Sequence, residues 1–325
     1  MNNRLYKGIF LFLGMAALIL DSKTAYIGAK EGLDLCLKTI IPSLFPFFVL
    51  SNLLINMLHS SDAYIVKYMA GIFSIPRGAE VLLICSFLGG YPVGAQCIGR
   101  LYRSKSITKN EAEKLLAYCS NAGPSFIFGM ISGLFQERWI PWALWSIHIV
   151  SAFFVSRYFS PGEGFEKKIT QANMTIVEAV QSAVTIMGQV CAWVLLFRIL
   201  ISFLNRWILW IFPVIYRIIL SGALELTNGC TELLNIDDSN LRFIICSVLL
   251  AFGGLCVGLQ TASVTNGINL KYYFLGKTLQ ATISLFLSAA LMSQNWVLLL
   301  IFILLFAIFP RILQNGGSFR KTIRV

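Results

Sequence analysis

Glu225 and Glu232 flank the run LTNGCT in a stretch that is otherwise apolar. A carboxylate inside a hydrocarbon layer is expensive and marks a path for substrate, proton or cation. Glu225 is read as a ligand for one of these, with Thr227, Asn228 and Gly229 at the turn beside it. Glu232 either joins it or reaches the aqueous mouth near Asp237. A second cluster is Gly89, Gly90, Tyr91, Pro92, Val93 and Gly94. Glycine permits left-handed turns and close backbone approach, and proline removes a donor. The chain can therefore reverse there and start a half-helix whose N–H groups face a cavity. Tyr91 and Gln96 are the nearest side chains with polar atoms to offer. The plain alternative is a packing kink, since both residue types are common in membrane helices.

Two more segments could supply walls. CSNAGPSF contains Asn121, Gly123, Pro124 and Ser125, and GGLCVGLQTAS contains Gly253, Gly254, Gln260, Thr261 and Ser263. Amides, hydroxyls and freed carbonyls suit a small polar ligand or sodium, although a single Ser or Thr often only bonds back to its own helix. Arg198 could face an anionic substrate, but snorkelling to the interface explains it more simply, and the same holds for Lys38. No nucleophile, base and orienter set is visible, so no catalytic residue is assigned and an enzyme is not expected. With His59 and His148 as the two histidines and no CxxC spacing among eight cysteines, no metal site is assigned. The cysteines read as small packing residues with reduced thiols.

The elements that must hold these groups are set by bulk composition. Of 325 residues, 57% are hydrophobic and 13% charged, against about 25% charged in a soluble domain, and mean hydropathy is +0.74. Crossing the bilayer takes about 20 apolar residues per helix, and such runs recur throughout. They are continuous where a β-barrel would alternate, so an all-α polytopic membrane protein is predicted. The N-terminal run lacks a small-x-small cleavage site and reads as an uncleaved first helix. Spanning helices, about 8 in all, are placed near 5–22, 33–58, 110–135, 139–158, 176–204, 241–265, 272–292 and 295–312. The stretches 79–103 and 218–236 are interrupted at their centres and read as re-entrant hairpins.

The net charge of +11 is distributed between apolar runs, which marks topology rather than nucleic-acid binding. With both hairpins returning to their side of entry, four basic groups fall on the cytoplasmic side. These are Arg4 and Lys7; Arg100, Arg103, Lys105 and Lys109; Arg157, Lys167 and Lys168; and Arg311, Arg320, Lys321 and Arg324. Both termini are then cytoplasmic, Asp237 and Asp238 fall outside, and the tail SFRKTIRV touches anionic headgroups. LLAYCSNAGPSFIFG (115–129) aligns with LLAFGGLCVGLQTAS (249–263), and the stretch 31–58 matches the pattern from Glu178. The chain divides into an N-terminal helix (1–30), a first repeat (31–158), a cytoplasmic linker (159–175), a second repeat (176–292), and a last helix with its basic tail (293–325). Three crossings per repeat place the two units inverted in the bilayer. Inverted repeats with broken helices are the architecture of secondary transporters.

GGYPVGAQ, NEAEKLLAYCSNAGPSFIFG, LELTNG and AFGGLCVGLQ, in that order, resemble the YlbJ family of sporulation integral membrane proteins. That family belongs to the wider nucleoside-recognition or Gate-domain proteins, which are related to concentrative nucleoside transporters. The resemblance covers nearly the whole chain. It implies a protein of the family's SpoVV type, which moves dipicolinic acid across the outer forespore membrane. Carried over by position, Gly89 to Gly94 and Thr227 to Gly229 are the transporter hairpin tips, and Asn121, Ser125 and Gln260 face them. Glu225 would repel a dianion unless protonated or cation-bound. The expected partners are a small-molecule substrate and the lipid bilayer, with no nucleic acid; homo-oligomerisation is left open. No cofactor is expected beyond a coupling ion, sodium or a proton. Alternatives are a nucleoside or organic-solute transporter and a non-transporting membrane scaffold in spore maturation.

Overall fold

The computed structural model describes residues 3–59, 64–161, 174–295 and 297, whose regular elements are all helices with no strand among them. The last expected helix (295–312), the basic tail and most of the linker lie outside the described residues. Helix α1 (Asn3–Leu20) ends at Asp21, whose carboxylate accepts from the Thr24 amide at 3.4 Å and so starts the next helix. From there α2 (Ser22–Leu35), a π-helical turn (Cys36–Ile40) and α3 (Ile41–His59) run on as one rod. The helix expected from about residue 33 therefore starts at Ser22.

Gly28, Gly32, Cys36, Ile40, Leu44 and Phe48 are buried along one stripe of this rod, at the spacing that keeps one face inward. That stripe packs against α10 (Ile176–Trp207). The two run antiparallel: Gly28 lies against Ser202, Cys36 Sγ donates to the Cys191 carbonyl at 3.8 Å, and Asn52 Nδ2 donates to the Ala179 carbonyl at 3.3 Å. Among the described residues four helical segments are long and apolar enough to cross a membrane: Ser22–Leu53, Ile176–Trp207, Ser239–Val264 and Lys271–Ser293.

After the rod and α4 (Tyr64–Ile72), α5 (Val81–Phe87) and α6 (Val93–Arg103) form the first hairpin, joined by Leu88–Pro92 with a cis Tyr91–Pro92 bond. The 110–135 segment, expected as a broken spanning helix, is interrupted as the CSNAGPSF run indicates. Helix α7 (Lys109–Leu116) starts with a Thr108–Glu111 capping box, the chain leaves helical geometry through 120–123, and α8 (Pro124–Gly129) restarts with proline at its first position. Proline suits that position because its missing N–H has no intrahelical partner there. Helix α9 (Ile140–Tyr158) closes this half.

The second half repeats the order. After α10 come α11 (Val214–Leu224) and α12 (Leu226–Glu232), then α13 (Ser239–Phe252) and α14 (Gly254–Val264), then α15 (Lys271–Ser293). Gly253 and Gly254, at φ 78° and 81°, occupy the left-handed region that interrupts α13–α14. The turn of the second hairpin falls earlier than Thr227–Gly229. Glu225 is extended (φ −143°, ψ 118°), and Thr227, Asn228 and Gly229 form the first turn of α12. The carboxylate sets that start by capping the helix itself.

Basic residues near the ends of α6, α7 and α9 tie to neighbouring segments. Arg103 Nη1 donates to the Val264 carbonyl, Lys114 Nζ to the Ser160 carbonyl and Arg157 Nη1 to Ser74 Oγ. Asp237 and Asp238 adjoin the opposite end of the α13–α14 segment, where Asp238 caps α13.

Candidate solute site between the hairpin tips

Both tips and both interrupted helices meet around one small cleft of about 40 Å³. The first tip contributes Gly89, Gly90 and Tyr91, and the second contributes Glu225, Leu226 and Thr227. The interrupted helices add Gly123, Ser125 and Phe126 on one side and Val257 and Gln260 on the other; Leu44 and Phe48 of α3 with Val190 and Val194 of α10 complete the walls. The convergence depends on close backbone packing. A Cβ on Gly90, which sits at φ 71°, would lie 2.8 Å from the Gly123 nitrogen, and one on Gly254 would lie 2.9 Å from the Gly222 carbonyl. Each tip therefore seats on the break of its own half. Tyr91 crosses between halves, its Oη donating to the Leu250 carbonyl at 3.4 Å.

Glu225 is 2% exposed. Its two carboxylate oxygens accept the Thr227 amide at 3.0 Å and the Asn228 amide at 2.7 Å. Negative charge at a helix N-terminus is favourable for the same reason that anions bind there. The residue thus lines the cleft and also holds the start of α12, which the sequence reading did not foresee.

The other singled-out residues divide. Pro92 precedes α6, Pro124 opens α8, Gly94 packs on the Cys119 carbonyl, Gly229 packs on Gly222, and Gln96 is half-buried on α6. Thr261 is fully buried on α14. Asn228 Oδ1 accepts from Arg198 Nη1 at 2.9 Å. Arg198 also pairs with Glu31 at 2.7 Å and Glu232 at 3.7 Å, tying α2, α10 and α12 together. Glu232 accordingly faces a cation.

Asn121 is fully buried beside the cleft rather than on its wall. Its Nδ2 donates to Ser86 Oγ at 2.7 Å and to the Tyr118 carbonyl at 2.6 Å. Its Oδ1 accepts from Gln280 Nε2 at 3.1 Å and from Lys277 Nζ at 3.4 Å. His148 Nε2 accepts the Ala122 amide at 3.1 Å, so α9 satisfies a backbone donor that the break leaves free. Lys277, Gln280, Ser86 and His148 were not assigned from sequence. A lysine seven residues into the apolar helix α15 was the available signal.

The chain is 26% identical over 327 aligned positions to the sporulation integral membrane protein YlbJ of Bacillus subtilis (strain 168), covering 86% of this chain and 80% of that protein. The likeness, over most of both chains, supports kinship with that protein. No family model matches the chain. No solved structure matches it.

Proposed function

We propose that this relative of YlbJ, a multi-pass α-helical membrane protein, carries a small anionic metabolite across the bilayer by alternating access. Dipicolinic acid at the outer forespore membrane is the favoured solute, as the family resemblance implies. The observation that carries the reading is the cleft shared by two hairpin tips and two helix breaks. In lipid an unpaired backbone group is too costly to persist, so irregular chain at membrane depth lines a cavity or is buried in protein. The recurring order of long helix, hairpin, interrupted helix and closing helix supports two inverted repeats, which could rock about a solute held between them. The segments that carry Arg103, Lys114 and Arg157 would then be cytoplasmic, with both termini on that side.

A second reading, transport of a nucleoside coupled to sodium or protons, draws on the aromatic faces of Phe48 and Phe126 in the cleft wall, which would suit a flat ring. A panel of solutes added to purified protein separates the two. Dipicolinate is expected to raise the unfolding midpoint and nucleosides at equal concentration are not; a ligand at 100 times its Kd stabilises by about 2.7 kcal/mol. A rise with nucleosides alone favours the second reading, and no rise with any solute favours a non-transporting scaffold.

A further inference from the structure

Lys277 is fully buried in α15, within a segment long and apolar enough to span the membrane. Its ammonium donates to Gln280 Oε1 at 2.8 Å and Asn121 Oδ1 at 3.4 Å, and lies 5.2 Å from the centre of the Tyr91 ring. All three neighbours are neutral. Among the described residues no carboxylate oxygen lies within 4 Å of it. A cation removed from water is costly unless an anion and further hydrogen bonds compensate it, and two amide oxygens with one ring supply only the second half of that requirement.

The surrounding groups fix the direction in which the missing anion would come. Asn121 spends its Nδ2 on Ser86 and the Tyr118 carbonyl, so its oxygen is held toward Lys277. Gln280 spends its Nε2 on Asn121 Oδ1 and the His148 carbonyl, so its oxygen also faces the ammonium. Cys119 and His148 also lie within electrostatic reach of the ammonium, but the neighbour that lines the cleft is Tyr91, which contacts the ammonium through its ring. Tyr91 therefore stands between the charge and the solute space. Its hydroxyl donates to the Leu250 carbonyl at 3.4 Å, a long bond for a hydroxyl donor. The one carboxylate in the cleft wall, Glu225, is occupied by the amides of α12.

We propose that Lys277 is the carboxylate-binding cation of this transporter, and that the Tyr91 ring covers it until a solute carboxylate takes its place. The inference rests on the transport reading above and narrows its substrates to small carboxylates. Gln280 and Asn121 are positioning residues that hold the ammonium toward the cleft. A charge-assisted pair formed there would hold the solute more strongly than neutral hydrogen bonds can.

The test measures binding of dipicolinate, its neutral diamide and uridine to purified wild type, Lys277→Met and Lys277→Arg, together with each protein's unfolding midpoint without ligand. Lys277→Met is expected to weaken dipicolinate binding by about tenfold or more, to leave binding of the neutral diamide unchanged, and to melt at or above the wild-type temperature, because it removes an uncompensated buried charge. Lys277→Arg is expected to restore part of the carboxylate affinity. Unchanged dipicolinate affinity in Lys277→Met overturns the inference while transport stands. So does wild-type protein that binds uridine and no carboxylate. A Lys277→Met protein that melts well below wild type, or fails to accumulate while Lys277→Arg behaves normally, assigns the lysine to folding and overturns it too. Wild-type protein that binds none of the three solutes overturns both this inference and the transport reading.

Discussion

Gly94→Val and Gly229→Val are each expected to remove most folded protein from the membrane, whereas Gly188→Ala on α10 is expected to leave the yield unchanged. Gly94 lies in the first turn of α6, where an added Cβ would overlap the Cys119 carbonyl and come within 3.3 Å of the Ser86 Cα. Gly229 lies in α12 against Gly222 of α11, and its Cβ would overlap the Gly222 backbone. Overpacking costs about 1–3 kcal/mol when neighbouring side chains can give way. Here the neighbours are backbone of the partner arm or of the helix break, which can move only if the hairpin tip leaves its seat. A Cβ at Gly188 meets nothing within 4 Å. Size-exclusion profiles of detergent extracts separate these outcomes. Monodisperse Gly94→Val and Gly229→Val proteins at wild-type yield would mean that the tips do not seat as described.

Replacing Glu225 is expected to have the next largest effect, graded by what remains to accept two amides. Glu225→Ala leaves the Thr227 and Asn228 N–H groups buried without an acceptor. Each orphaned donor costs about 1–3 kcal/mol, so the pair costs about 2–6 kcal/mol by the same measure. Glu225→Gln keeps one acceptor oxygen and presents an NH2 group to the second amide, so an intermediate loss is expected. Unfolding midpoints in the order wild type, Gln, Ala support the capping role. If all three unfold together and only solute binding changes, the carboxylate serves the solute alone.

The two interrupted hairpins and the two helix breaks were legible because glycine, proline and polar residues stand out in oily runs. Gly89, Gly90, Tyr91, Gly123, Ser125, Glu225, Thr227 and Gln260, all singled out by that contrast, line one cleft. Contrast does not reveal where a side chain points. Asn121 turns away from the cleft because Ser86 of α5, Lys277 and Gln280 of α15 and the nearby Tyr118 carbonyl satisfy it. The pairing of Arg198 with Glu31 was not legible because the two stand 167 positions apart in the chain. The turn at Glu225 was misplaced by two residues since an N-cap carboxylate and a ligand carboxylate look alike in one dimension. Lys277 was within reach of the sequence: a lysine followed by Gln280 one turn later, inside an apolar segment, carries the same cost that drew notice to Glu225.

The most direct test of transport through the cleft is uptake of labelled dipicolinate into proteoliposomes by wild type, Ser125→Ala and Ser125→Trp. Ser125 is 2% exposed and lines the cleft, so tryptophan there would fill the solute space while alanine would leave it open. Wild type and Ser125→Ala should accumulate the label, and folded Ser125→Trp should fall to the level of protein-free vesicles. Wild-type uptake no higher than that background, or Ser125→Trp uptake at the wild-type rate, would contradict a solute path between the tips.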